Sequence, residues 1–344
     1  MNLGIQEFER SAIKCRVLCF TLYALFVAST SAATEVGTTG NAALKIGVGA
    51  RVAAMGNTFV AIADDVNTIY WNPSGLGQLE RSQFSAMHAE WVADIRYEWI
   101  GFAQSLGRWV TIGADAALVH TEDIPRTVEL NTGGYEQDGT FDYSDLIIRV
   151  AAGSGIYKGV RIGAALQISQ QTVDFGGTSK PVSKKEIRAD SVNLGAIYQP
   201  SIQNLRLGVS LQNIGRDPTS FFVQSSPLPK IFRLGAAYTI AIQPSTKEGE
   251  TLTPEQLSAE NHLTLALDFN FASDRSPSIH TGVEYLFRHG LALRGGYRSE
   301  ADFDFVSHFS GGIGYASSAY QLDYAFVPLG EIGGTHRVSF TLGF

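Results

Sequence analysis

The chain has 344 residues, a formal net charge of −7, 36 glycines and only two cysteines. An excess of acidic residues argues against nucleic acid as a partner. Both cysteines, Cys15 and Cys19, lie in an amino-terminal segment that we expect to be removed. The remaining chain would then have no disulfide, no thiolate nucleophile and no cysteine-based zinc site.

Residues 1–33 have the pattern of a cleaved export signal. Three basic residues precede an apolar run that ends at Ala28, and small residues at Ser31 and Ala33 precede the expected cleavage before Thr34. The apolar run is shorter than the roughly 20 residues that a membrane-spanning helix needs. An uncleaved anchor is the alternative.

From residue 83 onward, apolar residues occupy every second position in segments of about ten residues, which is typical of strands with two unlike faces. Each apolar row consists of every second residue, counted from the first, in one of these ranges: Val110–Leu118, Val160–Ile168, Leu205–Leu211, Leu263–Phe271, Ile279–Phe287, Leu291–Tyr297, Tyr320–Phe326 and Val338–Phe344. The positions between them hold charges at Asp115, Arg161, Arg206, Asp268, Glu284, Arg294 and Asp323.

A soluble sandwich or small barrel also has alternating strands. These apolar rows contain no charge, however, although 17% of the chain is charged. A surface that contacts lipid requires this, because an Arg or Lys at the bilayer midplane costs about 2–4 kcal/mol. Aromatic residues near the strand ends resemble membrane-interface girdles: Tyr97, Trp99, Tyr198, Tyr238, Tyr285, Phe287, Tyr297, Tyr320 and Tyr324. The pattern predicts an all-β fold, a transmembrane antiparallel β-barrel in contact with outer-membrane lipid.

The pattern gives about fourteen strands, with short connections at one end and long ones at the other. The expected short turns are 106–108, 153–158, 199–204, 288–290 and 316–318, and the expected long connections are 120–141, 172–188, 213–230 and 327–335. The connection 243–261 is long but falls at the short end. It is either an appendage with a short helix that begins near Thr253, or the count is wrong by one hairpin.

The last strand ends on an aromatic residue, with Phe340, Leu342 and Phe344 on one face. This resembles the carboxy-terminal signal that the outer-membrane barrel assembly machinery recognises. That machinery is therefore an expected partner.

The segment 49–79 begins like a dinucleotide-binding turn, but Val52 stands where that motif has Gly or Ala and no βαβ pattern follows. Small and apolar residues favour, weakly, a helix over 51–63 that ends at Asp64 and Asp65. A turn follows at Asn72-Pro73. Proline moves the residue before it out of helical geometry, and Gly75 permits a positive φ.

This segment resembles the amino-terminal hallmark of the PorV/PorQ family, which is similar in turn to FadL-type transporters. The resemblance rests on Arg51, Met55, Asp64, Asp65, Trp71, Asn72, Pro73 and Gly75. It implies a signal peptide at 1–33, a short helical plug in the lumen at 34–80, and a fourteen-stranded barrel at 81–344 in the bacterial outer membrane.

The inward positions of the strands fit a plug. Glycines at 163, 208, 282 and 296 leave room for a segment inside the lumen. Asp64 and Asp65 are expected to meet Arg161, Arg206 or Arg294 there. A solvated pair at a helix end is the alternative.

The resemblance leaves two functions open. PorV-like members act in type IX secretion, where an apolar loop patch at Phe221, Phe222 and Val223 would engage secreted cargo or secretion components. FadL-like members take up fatty acids or other hydrophobic molecules, and a ligand would contact Phe59, Ile62, Tyr70 and Trp71. In the simpler interpretation, the patch folds onto the rim and the aromatics pack against the wall.

The third class, an enzyme, has little support in the sequence. The chain has no HExxH, GxSxG or phosphate-loop motif. A site of His262 and His280 near Asp268 and Glu284 is the weakest of the alternatives. We expect a protein that is not an enzyme and that has no cofactor and no metal.

Overall fold

The computed structural model describes residues 39–107, 109–131, 133–175, 184–202, 204–218, 226–242, 260–299 and 306–344. They form a closed antiparallel barrel of fourteen strands, in which each strand pairs with the next and the last pairs with the first. The strands are β1 (Gln83–Glu90), β2 (Arg96–Ser105), β3 (Thr111–Glu129), β4 (Tyr135–Tyr157), β5 (Val160–Asp174), β6 (Lys185–Tyr198), β7 (Leu205–Gly215), β8 (Ile231–Ile242), β9 (Asn261–Ala272), β10 (Ser278–Leu286), β11 (Leu291–Arg298), β12 (Phe309–Ala316), β13 (Tyr320–Pro328) and β14 (Gly334–Gly343).

The two faces of the wall are those that the alternation predicts. On β5, for example, Leu166 is 66% exposed on the outer face, whereas its neighbour Gln167 is 3% exposed on the inner face. The charged residues Asp115, Asp268, Glu284, Arg294 and Asp323 are all buried inside. The predicted barrel and its strand number are confirmed.

The predicted position at the membrane interface is wrong for two of the aromatic residues. Tyr97 and Trp99 point into the lumen and are almost completely buried. Tyr97 donates to the carbonyl of Ile46, and Trp99 donates to Asp115. The inward face of β2 is apolar because it packs against a filled lumen, so composition alone assigned these residues to the wrong face.

The two rims of the barrel differ only in part in the length of their connections, because several at each rim have about five residues and one long connection lies at the turn end. Gln83 of β1 pairs with Gly343 of β14, so both ends of the barrel sequence lie at one rim, which we call the turn end. Connections at the turn end are 106–110, 158–159, 199–204, 287–290 and 317–319. The opposite rim, the loop end, has 91–95, 130–134, 175–184, 216–230, 273–277, 299–308 and 329–333. The long connection expected at 327–335 is wrong, because β13 continues to Pro328 and β14 begins at Gly334, which leaves five residues between them.

The structure decides two further expectations about the connections between strands. The segment 120–141 is not a long loop, because β3 and β4 continue as a paired hairpin to Glu129 and Tyr135. The connection between β8 and β9, residues 243–260, is long and belongs to the turn end, so the strand count was right. The helix expected near Thr253 lies outside the described residues.

Residues 39–79 fill the lumen, and we call them the plug. They contain two short α-helices, α1 (Ala50–Ala54) and α2 (Thr68–Trp71), and 3-10 helices at Ala42–Lys45 and Pro73–Gln78. Helix α1 contacts β11 to β14, whereas Pro73–Gln78 contacts β3 to β6 on the opposite side of the barrel. Within the described residues, no helix is long and apolar enough to cross a membrane. The expected cleavage site at Thr34 lies outside them.

Local structure in the plug differs from the expectation at two places. The helix expected over 51–63 stops at Ala54, because Gly56 and Asn57 adopt left-handed conformations with φ of 67° and 63°. Asn72 is extended, with a φ of −161°, as the following proline requires.

Gly75 was assigned the wrong role. Its φ is not positive. A side chain there would overlap the Thr68 hydroxyl and the Ala63 carbonyl, so a glycine is needed for close approach and not for turn geometry.

Candidate functional site

Arg51 of α1 is the centre of an ionic cluster inside the lumen. Its guanidinium lies 2.7 Å from a carboxylate oxygen of Asp64 and 3.1 Å from one of Asp65, both in the plug. It also forms two hydrogen bonds of 2.8 Å to Glu284 on β10. Arg51 therefore holds the plug in shape and fixes it to the wall.

The cluster continues along the inner wall. Glu284 accepts a 2.6 Å bond from Arg294 on β11, and Arg294 also contacts Asp323 on β13 at 2.8 Å. Buried charges need partners with good geometry, since an unpaired ion in the interior is expensive. We call these six residues the latch cluster: Arg51, Asp64, Asp65, Glu284, Arg294 and Asp323.

The predicted partners of the plug aspartates are partly right. Arg206 lies 3.8 Å from Asp64 and donates to the Ile62 carbonyl. Arg294 binds Glu284 and Asp323, and among the described residues no ion pair joins Arg161 to either aspartate. Sequence reasoning included Arg51 in the motif but missed that it is the main partner, because the pair is formed within the plug.

A second attachment of the plug uses its backbone. The carboxylate of Asp268 on β9 accepts from the amides of Phe59 and Val60, at 2.8 and 3.1 Å. Ser310 on β12 accepts from the Gly56 amide and donates to the Ala54 carbonyl. The wall thus provides polar groups for the irregular backbone that follows α1.

The Asn72-Pro73 corner lies against wall glycines on the other side. Asn72 is fully buried and donates to the Val60 carbonyl at 2.7 Å, while its oxygen accepts from Ser74. A side chain at Gly163 or Gly195 would overlap the backbone of Pro73 or the amide of Asn72. The prediction that wall glycines make room for a segment is confirmed at 163, 208, 282 and 296.

Two wall arginines lie over the aromatic residues of α2. The guanidinium of Arg149 is 4.9 Å from the centre of the Tyr70 ring, and that of Arg233 is 5.0 Å from the Trp71 ring. Arg149 is fully buried and paired with Asp115 at 3.0 Å. These contacts position α2 in the middle of the lumen.

The residues proposed to contact a hydrophobic ligand lie in the packed interior. Phe59 and Ile62 have no exposed surface, and Tyr70 and Trp71 are 2% exposed. Trp71 also lines a cavity beside Lys45 and Arg233, whereas the other three residues do not. A role in ligand contact stays a prediction for all four. The loop residues Phe221, Phe222 and Val223 lie outside the described residues.

One cavity of about 60 Å³ opens at the loop end, and we call it the mouth pocket. Its lining combines polar and apolar surface: Lys45, Asn57, Trp71, Ile231, Arg233, Asn270, Ala272, Arg275, Ser278 and His280. For comparison, a cavity of about 150 Å³ accommodates benzene. The pocket is therefore too small for an aromatic hydrocarbon in this conformation.

Residues 39–45, which we call the mouth cover, close the lumen beside this pocket. Lys45 and Thr39 each bond to Asp274, in the turn between β9 and β10, at 2.6 Å. Burial opposes ionisation of Asp274, but the bonds from Lys45 and Thr39 outweigh it and lower the pKa of the carboxyl group. Gly40 donates to the carbonyl of Pro227, and Asn41 donates to Ser169.

The histidines do not form the site considered from the sequence. His280 faces the lumen and pairs across the strands with Asp268, whereas His262 pairs with Leu286 near the turn end. Among the described residues, no group of histidine and carboxylate side chains has a geometry suited to a metal ion.

A comparison with protein-family models matches residues 24–217, more than half of the chain, to the uncharacterised protein family UPF0164. The chain belongs to the UPF0164 family. No curated protein gives a significant match to it. The family match covers the plug and the first seven strands, and the PorV/PorQ resemblance stays a prediction.

Solved structures share the fold of this UPF0164 protein. A monoaromatic hydrocarbon channel, CymD, is 14% identical with a TM-score of 0.55, and the match covers 87% of this chain and 98% of that one. The Ralstonia pickettii toluene transporter TbuX is 14% identical, with a TM-score of 0.50 and coverage of 87% and 98%. The Pseudomonas putida toluene transporter TodX is 12% identical, with a TM-score of 0.51 and coverage of 86% and 96%. At these identities the likeness establishes the fold alone.

Proposed function

We propose that the protein is an outer-membrane channel for small hydrophobic molecules, and that the conformation with a filled lumen is its closed state. The observation that carries this proposal is a lumen filled by a separate segment, which is attached to the wall by ion pairs and hydrogen bonds. Such contacts can be exchanged for water or ligand without breaking the strand pairing of the wall. The named activities of the hydrocarbon channel and toluene transporters with the same fold support the proposal.

The outer face of the wall is consistent with this location. Large apolar side chains cover it, including Ile100, Val150 and Leu166, each more than half exposed. A closed barrel satisfies its backbone groups internally, as a bilayer requires. The loop end would face the cell exterior and the turn end the periplasm.

Transport through this lumen requires movement, because the mouth pocket holds less than half the volume that benzene needs. Beneath the pocket, the plug interior is apolar: Phe59, Ile62, Val66 and Ile69 belong to one buried cluster. A shift of the mouth cover would give a ligand access to this apolar surface.

A disulfide across the mouth tests the proposal. A Cβ at Gly40 would lie 2.8 Å from the Cβ of Ser226. The typical Cβ separation in a disulfide is about 3.8 Å, so the bond requires the two residues to move apart by roughly 1 Å. Cells without their own hydrocarbon channels would express the Gly40→Cys, Ser226→Cys double variant. Uptake of radiolabelled toluene would be measured before and after reduction.

We expect the unmodified protein to raise uptake above that of cells with an empty vector. Oxidation should lower uptake by the double variant, and a reductant should restore it. The two single-cysteine variants serve as controls. Equal uptake with and without the protein would exclude the channel function, and uptake unaffected by the disulfide would exclude movement of the mouth cover.

A secretion-associated function stays a second prediction. It rests on the PorV/PorQ resemblance and on the patch at Phe221, Phe222 and Val223. Deletion of residues 219–225 tests it, since the variant should lose binding of exported proteins while the barrel stays heat-modifiable on gels. Unchanged binding would count against cargo recognition by this loop.

A further inference from the structure

A larger cavity, of about 180 Å³, lies at the turn end of the barrel, and we call it the turn pocket. Its lining comes from β1, β13, β14, the turn between β12 and β13, and Arg81 just before β1. Gln83, Gln321 and Thr341 are on the inner face of the wall, because each lies two positions from a buried inward residue of its own strand. The turn pocket therefore belongs to the lumen, and it opens at the rim where Ser318 is exposed.

The turn pocket has the size and charge that suit a small neutral molecule. A cavity of about 150 Å³ accommodates benzene. The turn pocket exceeds that volume, whereas the mouth pocket has only about 60 Å³. Among the described residues that line it, only Arg81 is charged, and its guanidinium donates to the carbonyl of Ser318 at 2.5 Å. A neutral ligand can thus enter without displacing an ion pair.

The inner end of the turn pocket is formed by groups that hold the plug. Gln83 accepts a 2.9 Å bond from the amide of Val66, which follows Asp65 of the latch cluster and belongs to the apolar plug interior. Gln321 donates to Asp323, another residue of the latch cluster, at 2.7 Å. The latch cluster therefore borders the pocket on the side of the lumen interior.

The opposite half of the turn end is closely packed. The helix Pro73–Gln78 lies against β3 to β6, and a Cβ at Gly77 would be 2.8 Å from the carbonyl carbon of Ser154. The side chain of Gln78 donates to two carbonyls of the plug. Backbone contacts of this kind leave no room for a ligand, so the geometry favours a path on the α1 side.

We propose that the turn pocket is the exit through which the channel releases a small, neutral, single-ring molecule to the periplasm. This inference rests on the proposed channel function and deepens it, because it places the second opening of the path. Separation of α1 from the wall would break the latch cluster and join the turn pocket to the apolar plug interior. The path would then run from the mouth pocket along the α1 side of the lumen.

Two serines in turn-end connections allow a matched test. Ser318 lines the turn pocket, whereas Ser201 is exposed in the turn between β6 and β7, on the packed side. The mature chain is expected to have no cysteine, so Ser318→Cys and Ser201→Cys each provide one site for a thiol reagent. Cells without their own hydrocarbon channels would express either variant and be treated with fluorescein maleimide. Toluene uptake would be measured before and after labelling.

We expect labelling of Ser318→Cys to abolish the uptake that depends on the protein, because the fluorescein group fills the turn pocket. Labelling of Ser201→Cys, matched in extent by the fluorescence of the protein band, should leave uptake unchanged. Equal loss in both labelled variants would overturn the proposal. Unchanged uptake by fully labelled Ser318→Cys would overturn it as well.

Ionic current gives a second measurement that needs no hydrophobic substrate. Arg51→Ala removes the shared cation of the latch cluster and should open the α1 side in planar bilayers. In that background, labelled Ser318→Cys should carry less current than labelled Ser201→Cys.

The two measurements separate the exit from the channel function. If the label at Ser318 lowers the current but toluene uptake by the unmodified protein equals that of the empty vector, the channel function fails and the position of the exit stands. If uptake is present and the label changes neither uptake nor current, the channel function stands and the exit fails. The absence of both uptake and current would overturn both.

Discussion

The two sides of the plug are attached to the wall in different ways. On the side of β10 to β13, α1 is held by the latch cluster, in which Arg51 bridges the plug carboxylates and Glu284. On the side of β3 to β6, the helix Pro73–Gln78 has no ionisable residue, and its backbone lies against the wall glycines Gly153 and Gly163. Close packing against wall glycines occurs on both sides, as at Gly296 beside α1, but within the described residues only the α1 side adds a buried network of ion pairs.

This difference indicates which side can move. Ion pairs can be replaced by water as the lumen hydrates, so the α1 side has an alternative state of moderate cost. Close backbone packing has no such substitute, since separation leaves a void or an unpaired polar group. We therefore expect the α1 side to open while the Asn72-Pro73 corner stays in place. Four substitutions or conditions test this comparison.

The largest effect is expected from Arg51→Ala. It leaves Glu284, Asp64 and Asp65 without their shared cation, and removal of one partner from a buried ion pair costs about 3–5 kcal/mol. The barrel wall should persist while the α1 side detaches. In planar bilayers, the variant should show larger and more frequent openings than the unmodified protein.

The matched control for Arg51→Ala is Arg188→Ala, which removes an exposed pair with Asp190. Its effect on the free energy of unfolding should lie below about 1 kcal/mol, with conductance unchanged. Closed channels in the Arg51 variant would show that the latch cluster does not keep the plug in place.

Gly163→Ala tests the side of β3 to β6. Its methyl group would overlap the backbone of Pro73, which cannot move aside like a flexible side chain. Overpacking of this kind costs about 1–3 kcal/mol. Urea unfolding should show a less stable barrel, without the openings expected for Arg51→Ala. Gly155→Ala, on the neighbouring strand with open space around it, should unfold like the unmodified protein.

Gly296→Ala probes close packing on the side that is expected to move. The new methyl group would meet the backbone of Gly56, just after α1. Because α1 can shift, the loss of stability should be smaller, about 1 kcal/mol, and openings should become more frequent. Gly295→Ala, the adjacent residue on the outer face with no atom nearby, is the control. A larger loss of stability than for Gly163→Ala would reverse the assignment of the two sides.

The smallest effect concerns pH at the mouth cover. The pKa of Asp274 is lowered in the folded protein, so its bonds to Lys45 and Thr39 stabilise the cover above the ordinary aspartate pKa. This stabilisation is lost as the pH falls through the lowered value. Hydrogen exchange of residues 40–44, corrected with an unstructured peptide, should stay slow at pH 5 and accelerate only below about pH 4. Asp274→Asn should remove that step.

Most of the wall could be predicted from the sequence. Each strand contacts lipid on one face and the lumen on the other, so a period of two in residues such as Leu263 to Phe271 defines both faces locally. The assignment of residues to the two faces fails at positions where the lumen is not polar. Tyr97 and Trp99 face inward because the plug provides an apolar surface for them, and no pattern within β2 reports that surface.

For the candidate site, the sequence predicted several of the residues but few of the contacts between them. Arg51, Asp64, Asp65 and Asn72 were identified through a family resemblance, and the structure shows how they are bonded. The mouth pocket was missed entirely. Lys45, Arg233 and Arg275 are far apart in the sequence, and nothing in their local environments distinguishes them from other cations of the chain.

By itself, the sequence determined a fourteen-stranded barrel with an apolar exterior, because alternation along a strand depends only on neighbouring residues. Only the tertiary structure decided which charges meet inside the barrel. Arg51 and Glu284 are 233 positions apart, and Lys45 and Asp274 are 229 apart. Barrel closure and the path of the plug bring such residues together, and these depend on the packing of the whole chain.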